Sequence, residues 1–284
     1  MTKFYKKRKK QKYKFSIICA TIGKYNQINK LCKSLDRQIY KNFELIICDQ
    51  NKNNHNKNYI ITYKNLNIKF IKTKKGISRA RNKGIQLSRG EFLIFLDDDI
   101  IVERNYLNKI NNLLTKKRHN IIAYKVVDLK NNTLLNYPKK NCYLSNDYQI
   151  FNSISSVSFV IDSKYRIFFT ENLGLGSKNI YQSGEETDFI FKAVKKLNYK
   201  IYFDKSIRVI HLRKGRPFLS ELKKNFFYGC GWSFVVKKNK LDHFIIKSFI
   251  RIFLNIGYHF LTLNLKKMSL SISTILGRIY GLIC

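Results

Sequence analysis

Three short runs that are apolar on both faces constrain this chain most. FSIICA (15–20), FELIIC (43–48) and FLIFL (92–96) show no alternation of polar and apolar residues. A strand of that kind needs cover on both sides, which is the mark of a parallel sheet flanked by helices. IKFIK (68–72) reads as a further strand. The connecting segments agree. Ile28, Leu31, Cys32 and Leu35 fall at i, i+3, i+4 and i+7, the buried stripe of an amphipathic helix. GISRARNKGIQLS (76–88) reads as a second helix, with Ile77, Ala80, Gly84 and Leu87 toward the sheet. Between the second and third strands lies a very polar loop at 50–58.

The second half is more mixed. Strands are expected at 121–128, 155–162, 199–203 and 207–211. A Gly-containing loop (171–184) leads into a helix at 185–198, and helical stretches at about 218–236 and 241–265 precede an apolar tail at 268–284. No internal repeat is evident. With only 2 prolines there is no Pro-rich linker, so the chain reads as one continuous unit. The expected organisation is a basic tail at 1–14, an α/β domain at 15–236 and a C-terminal helical segment at 237–284.

Where the acids fall is informative. In open α/β sheets, ligands bind beyond the carboxyl ends of the strands. Asp49 directly follows FELIIC, and Asp97, Asp98 and Asp99 directly follow FLIFL. Three consecutive carboxylates repel one another unless a cation sits among them. If the strand continued through them, Asp97 and Asp99 would share a face roughly 7 Å apart. A hard divalent ion with diphosphate oxygens fits such a pair, because Mg²⁺ or Mn²⁺ prefers oxygen ligands. The competing reading is a turn in which Asp98 or Asp99 caps the next helix.

A second acidic group, Glu185, Glu186 and Asp188, opens a helix. Ser183 and Glu186 have capping-box spacing, which explains Glu186 structurally. The helix dipole that favours acids there also keeps a carboxylate ionised, as a general base requires. Both readings stand. Arg79, Arg81 and Lys83 make the 76–88 helix basic. Arginine suits phosphate through its planar fork of donors, whereas Lys83 reads as solvated surface. His211 ends a strand and is a competent metal ligand.

Together these segments resemble family 2 glycosyltransferases. GISRARNKGIQLSRGEFLIFLDDDI (76–100) resembles that family's signature, SGEETDFIFKAVKKLNYKIYFDKSIRVIH (183–211) its acidic-motif helix and following histidine, and FSIICATIGKYNQINKLCKSLDRQ (15–38) its opening strand and helix. The likeness spans about residues 15–235. It implies the GT-A fold: a Rossmann-like, mixed but mostly parallel α/β sheet flanked by helices, here followed by C-terminal amphipathic helices. It implies that Thr21 and Asp49 contact the nucleobase, and that Arg79 or Arg81 contacts the base or diphosphate. Asp97 and Asp99 would be the D-x-D pair, with Asp98 beside the nucleotide sugar and His211 as a further metal or phosphate ligand. Glu186 matches the catalytic base, Glu185 could share that role, and Asp188 would support the acceptor.

The implied reaction is inverting transfer of a sugar from a UDP-, GDP- or dTDP-sugar to a glycan or lipid-linked acceptor, with Mn²⁺ or Mg²⁺, in bacterial surface polysaccharide synthesis. The Q-x-x-R-W motif of processive synthases is missing, so one sugar per turnover is expected. Two departures stand out. The opening loop reads Cys-Ala-Thr-Ile-Gly where Pro-Thr-Tyr-Asn is usual, and the acidic motif has Glu186 where Asp is commoner.

The net charge of +37 favours polyanions, although Lys, Asn and Ile abound throughout, as a gene-wide composition bias would produce. In 240–266, Lys240, Lys247, Arg251, Asn255, Tyr258, Thr262 and Lys266 form one polar stripe on an otherwise apolar helix. Such a helix fits an anionic membrane surface better than a span, with packing on the domain as the alternative. The expected location is cytoplasmic, peripheral on the inner face of the cell membrane. None of the six cysteines has zinc-ligand spacing, which suits a reducing compartment, and no signal peptide is visible. Two other functions are consistent with parts of the pattern. A nucleic-acid-binding protein would explain the charge and aromatics but not the acids, so no nucleic-acid partner is expected. An inactive sugar-nucleotide-binding homologue would not need intact acidic motifs.

Overall fold

The computed structural model describes residues 12–51, 63, 66–212 and 215–284. Most of the 1–14 basic run and of the 50–58 loop lies outside these residues. The chain divides into two compact units. One comprises Met1–Lys75, Arg79–Phe168 and Phe189–Arg213; the other comprises Gly76–Ser78, Phe169–Asp188 and Lys214–Cys284.

The first unit contains a nine-stranded sheet. Its apolar runs form β1 (Tyr13–Thr21), β2 (Phe43–Asp49), β3 (Ile68–Lys72) and β4 (Gly90–Asp97). These four pair in parallel in the order β3-β2-β1-β4. Every residue of β2 is buried, as a strand covered on both faces requires. Beyond β4 the sheet is mixed. β5 (Ile100–Val102), β6 (Ile121–Val127), β7 (Cys142–Tyr143), β8 (Phe159–Asp162) and β9 (Ile201–His211) continue it. β8 runs antiparallel to β4 and β6, β6 runs parallel to β9, and β5 and β7 run antiparallel to β9.

The helices of this unit follow their stripes. α1 (Tyr25–Asp36) buries Ile28, Leu31, Cys32 and Leu35. α2 (Ile77–Leu87) buries Ala80, Gly84 and Ile85 but leaves Leu87 only partly covered. Gly84 is needed for contact, since a Cβ there would meet the side chain of Ile18 at 2.4–3.2 Å. Several features differ from the sequence reading: β5 and β7 are strands it does not contain, and the strand expected at 155–162 is confined to Phe159–Asp162. α3 (Tyr106–Lys116), burying Tyr106, Leu107, Ile110 and Leu114, was not anticipated. A short α4 (Asp147–Ser153) was likewise missed. The two strands expected at 199–203 and 207–211 belong to one strand, β9, but its pairing with β6 is irregular between them: Ala123 pairs with Phe203 and Lys125 with Arg208, so the stretch holding exposed Lys205 and Ser206 leaves the ladder.

The second unit carries α6 (Phe218–Lys238), α7 (His243–Leu261) and α8 (Leu265–Ile283). The expected apolar tail at 268–284 is therefore helix. α6 and α8 approach closely. Gly277 lies against the backbone of Phe226, where any side chain would collide. Arg278 stacks on Trp232 at 4.1 Å, and Ser233 Oγ donates to the Arg278 carbonyl at 2.7 Å. α5 (Glu185–Leu197) follows the 169–184 loop; its residues through Asp188 belong to the second unit and those from Phe189 to the first.

Candidate active site

The parallel strands end together. Register pairs Thr21 with Asp49, Asp49 with Lys72, and Ala20 with Asp97, so the carboxyl edge presents Thr21, Asp49, Lys72 and Asp97 in a row. Asp49 is held by three donors. Lys72 Nζ lies 2.7 Å from Oδ2, the Tyr25 hydroxyl 3.5 Å from the same atom, and the Asn51 amide 2.9 Å from Oδ1. Lys72 was not singled out from sequence. Its place as the last residue of IKFIK is the signal that register would have used.

Asp97, Asp98 and Asp99 do not continue the strand. β4 stops at Asp97, and Asp98-Asp99 turn the chain into β5. Alternation along a strand therefore does not orient them; each has a separate partner. Asp97 Oδ1 accepts from Arg81 Nη2 at 2.9 Å, and the Arg81 side chain is fully buried. Asp98 accepts from Thr21 Oγ1 at 2.7 Å. Burial pushes the Asp98 carboxyl up to about 6, with Thr21 and Lys24 opposing the rise and Asp99 and Asp97 adding to it.

Asp99 faces His211, with Oδ1 and Nε2 3.7 Å apart. The cause is register: β5 pairs Ile100 with His211, and the Leu212 amide donates to the Asp99 carbonyl at 2.8 Å. Burial raises the Asp99 carboxyl, His211 opposes this, and Asp97 reinforces it. Arg79 Nη1 donates to the Lys75 carbonyl at 3.3 Å. No group of three His, Cys, Asp or Glu able to hold a metal occurs among the described residues. Asp99 and His211 nevertheless form a partly exposed oxygen–nitrogen pair, with side chains 19% and 23% accessible. That pair fits an ion that takes its remaining ligands from substrate and water.

The second acidic group is built by its own unit. Glu185 is the first residue of α5 and is buried, Glu186 is half-buried, and Asp188 is fully buried. The expected capping box is not the geometry found. Gly184, at φ +83°, stands directly before the helix, and the Ser183 hydroxyl donates instead to the Tyr228 carbonyl on α6 at 2.9 Å. A Cβ on Gly184 would come within 2.7 Å of Val235.

Asp188 is locked in place. Thr170 Oγ1 donates to Oδ2 at 2.6 Å, Lys238 Nζ lies 2.7 Å from Oδ1, and Lys238 also donates to Thr170 at 3.0 Å. Nothing in the sequence pointed to Lys238, fifty positions away on α6. The 169–184 loop carries its own bonds, from the Gly174 amide to the Tyr181 carbonyl and from the Gly176 amide to Gln182 Oε1, both at 2.8 Å.

A cleft of about 480 Å³ lined by Arg118, Asn120, Asp162, Lys164, Tyr165 and Tyr199 lies elsewhere. Asp162 pairs with Phe92 near the amino end of β4, whereas the acids cluster at the carboxyl end.

A parallel-cored α/β sheet with acids and a histidine at its carboxyl edge, continued by an antiparallel extension, defines a GT-A scaffold. Residues 16–174 match the family described as Glycosyl transferase family 2, and the chain belongs to that family. Over 125 residues it is 26% identical to the Escherichia coli UDP-Glc:alpha-D-GlcNAc-diphosphoundecaprenol beta-1,3-glucosyltransferase WfgD, covering 43% of this chain and 49% of that protein. The chain spans half or less of the length of the curated relatives it first matches. Among solved structures, S. aureus TarS 1-349 in complex with UDP-GlcNAc aligns with a TM-score of 0.60 at 19% identity, covering 78% of this chain and 66% of that one. GalNAc-T7 with UDP, GalNAc and Mn²⁺ aligns with a TM-score of 0.52 at 15% identity, covering 78% and 51%.

Proposed function

We propose that this chain is an inverting, metal-dependent glycosyltransferase that moves one sugar from a UDP-sugar to a lipid-linked glycan acceptor in bacterial surface polysaccharide synthesis. The observation that carries this reading is the row Thr21, Asp49, Lys72 and Asp97 at the parallel edge, followed at once by Asp98 and the Asp99–His211 pair. Family membership supports sugar transfer. WfgD, whose name states a UDP-Glc donor and a diphosphoundecaprenol-linked acceptor, supports the choice of donor and acceptor, as does the UDP-GlcNAc complex of TarS.

In this reading Asp49 and Thr21 receive the nucleobase, with Lys72 and Tyr25 fixing the Asp49 carboxylate. Arg81 acts on Asp97 rather than on substrate, because its guanidinium is buried against that carboxylate. Arg79 takes the diphosphate side. Asp99 and His211 would hold Mn²⁺ or Mg²⁺, which supplies Lewis-acid stabilisation of the leaving diphosphate when bound. Glu186, the more accessible of the two adjacent glutamates, takes the proton from the acceptor hydroxyl, with Glu185 as the alternative base. Asp188 is a positioning residue that fixes the first turn of α5 through Lys238 and Thr170.

The test is transfer of labelled sugar from UDP-sugars to a polyprenyl-diphosphate-linked acceptor by the full chain. Wild type should transfer one residue per acceptor. Glu186→Gln should lower kcat by about 10²–10⁴-fold, the range for loss of a general base. No transfer from any UDP-sugar, or an undiminished rate in both Glu186→Gln and Glu185→Gln, contradicts the reading.

A further inference from the structure

Sixteen of the twenty-three large hydrophobic side chains exposed among the described residues lie beyond residue 217. α7 carries the densest group. Its sequence has a mean hydropathy of 1.3, yet only 11% of the apolar stretch is buried. Surface this apolar and this continuous marks an interaction site rather than ordinary exposure.

The helix divides into three sectors at 100° per residue. Ile246, Ile250, Phe253, Leu254 and Leu261 share one side and are 55–81% accessible. Lys247, Arg251 and Asn255 lie beside them, also exposed. Ile252 is buried on the remaining side and Phe244 in the first turn, and α7 packs against α8. One side is therefore occupied by protein, one is apolar and open, and the flank between them is cationic. The surroundings have the same sign: residues 216–284 hold eleven Lys or Arg against two acids, Glu221 and Asp242.

We infer that the Ile246–Ile250–Phe253–Leu254–Leu261 face of α7 docks on an anionic lipid surface, with Lys247 and Arg251 at the head groups. The helix lies in the membrane plane. A crossing would place both cations in hydrocarbon and would strip α7 from α8. A second copy of the chain would oppose cation to cation along the same flank, whereas an anionic surface complements it.

The experiment is co-sedimentation of the full chain with vesicles of phosphatidylcholine alone and of phosphatidylcholine mixed with phosphatidylglycerol. Wild type should pellet with the mixed vesicles and stay largely in solution with the neutral ones. The double change Phe253→Asp and Leu254→Asp should abolish pelleting. Both positions are exposed, so the melting temperature and any stabilisation by nucleotides should be unchanged, which separates failure here from failure of the transferase reading. Lys247→Gln and Arg251→Gln should each weaken binding about fivefold, from about 1 kcal/mol per surface cation. The inference fails if wild type does not pellet with anionic vesicles, or if the double variant pellets as well as wild type. It also fails if wild type is a dimer in solution that the double variant dissociates, because the face is then a contact between copies.

Discussion

The guanidinium of Arg81, fully buried on α2, donates a 2.9 Å hydrogen bond to Oδ1 of Asp97 at the last position of β4. An arginine is rarely buried unless paired, so this contact ties the helix to the strand end where the acidic run begins. Arg81→Met should destabilise the fold by about 2 kcal/mol. This falls below the 3–5 kcal/mol of a fully buried pair, because Asp97 keeps contact with water. A larger loss of nucleotide stabilisation than of melting temperature would show that Arg81 holds Asp97 in its working position. Thermal melting with and without UDP reads both effects.

The Asp188–Lys238 pair yields a graded expectation. Asp188 is fully buried, whereas the Lys238 side chain is about one-third accessible. Lys238→Met removes the cation beside a buried carboxylate and should cost about 3 kcal/mol. Asp188→Asn keeps a hydrogen-bond acceptor for Thr170 and should cost about 1–2 kcal/mol. Chemical denaturation of the two variants checks the order. A larger loss in Asp188→Asn would contradict the assignment of Lys238 as the main clamp.

His119 gives the fold a pH dependence. It is buried and stacks on Tyr202 at 4.5 Å. Burial, with Lys117 close by, holds its imidazole below the usual value of 6.5. The unfolded chain then binds a proton more readily than the native one. Stability from this group is complete above about pH 6.5 and is lost as pH falls through the folded value. The wild-type melting temperature should therefore decline below pH 6.5, and His119→Gln should reduce that decline. An unchanged slope in the variant excludes His119 as its cause.

The parallel half of the sheet was legible because burial on both faces leaves runs of consecutive apolar residues, as in LIIC (45–48) and FLIFL (92–96). The carboxyl-edge placement of Asp49 and Asp97 followed from where those runs stop. What was not legible depends on pairing between distant segments. The Asp99–His211 approach comes from β5, three residues long, lying against β9, and no local pattern reports it. Lys238 reaches Asp188 from a helix fifty residues on. Of the two readings of Asp98-Asp99, a continued strand or a turn capping a helix, neither is found: they turn from β4 into another strand, because β5 departs there to pair with β9. Arg81 reads as a phosphate ligand on a basic helix, yet Ser78, Gly84, Ile85 and Ser88, three, four and seven positions from it on the same face, are buried, and so is Arg81.

The metal–nucleotide assignment rests most directly on Asp99. The measurement is thermal stabilisation by UDP and UDP-sugars, with and without Mn²⁺, on wild type and Asp99→Ala. A ligand that binds the native state alone raises the melting temperature by mass action, by roughly 2.7 kcal/mol at a hundred times Kd. The expected result is stabilisation of the wild type that requires Mn²⁺ and disappears in Asp99→Ala. Equal stabilisation of both proteins, or none by any nucleotide in the presence of metal, would contradict the assignment of Asp99 and His211 as the metal-binding pair.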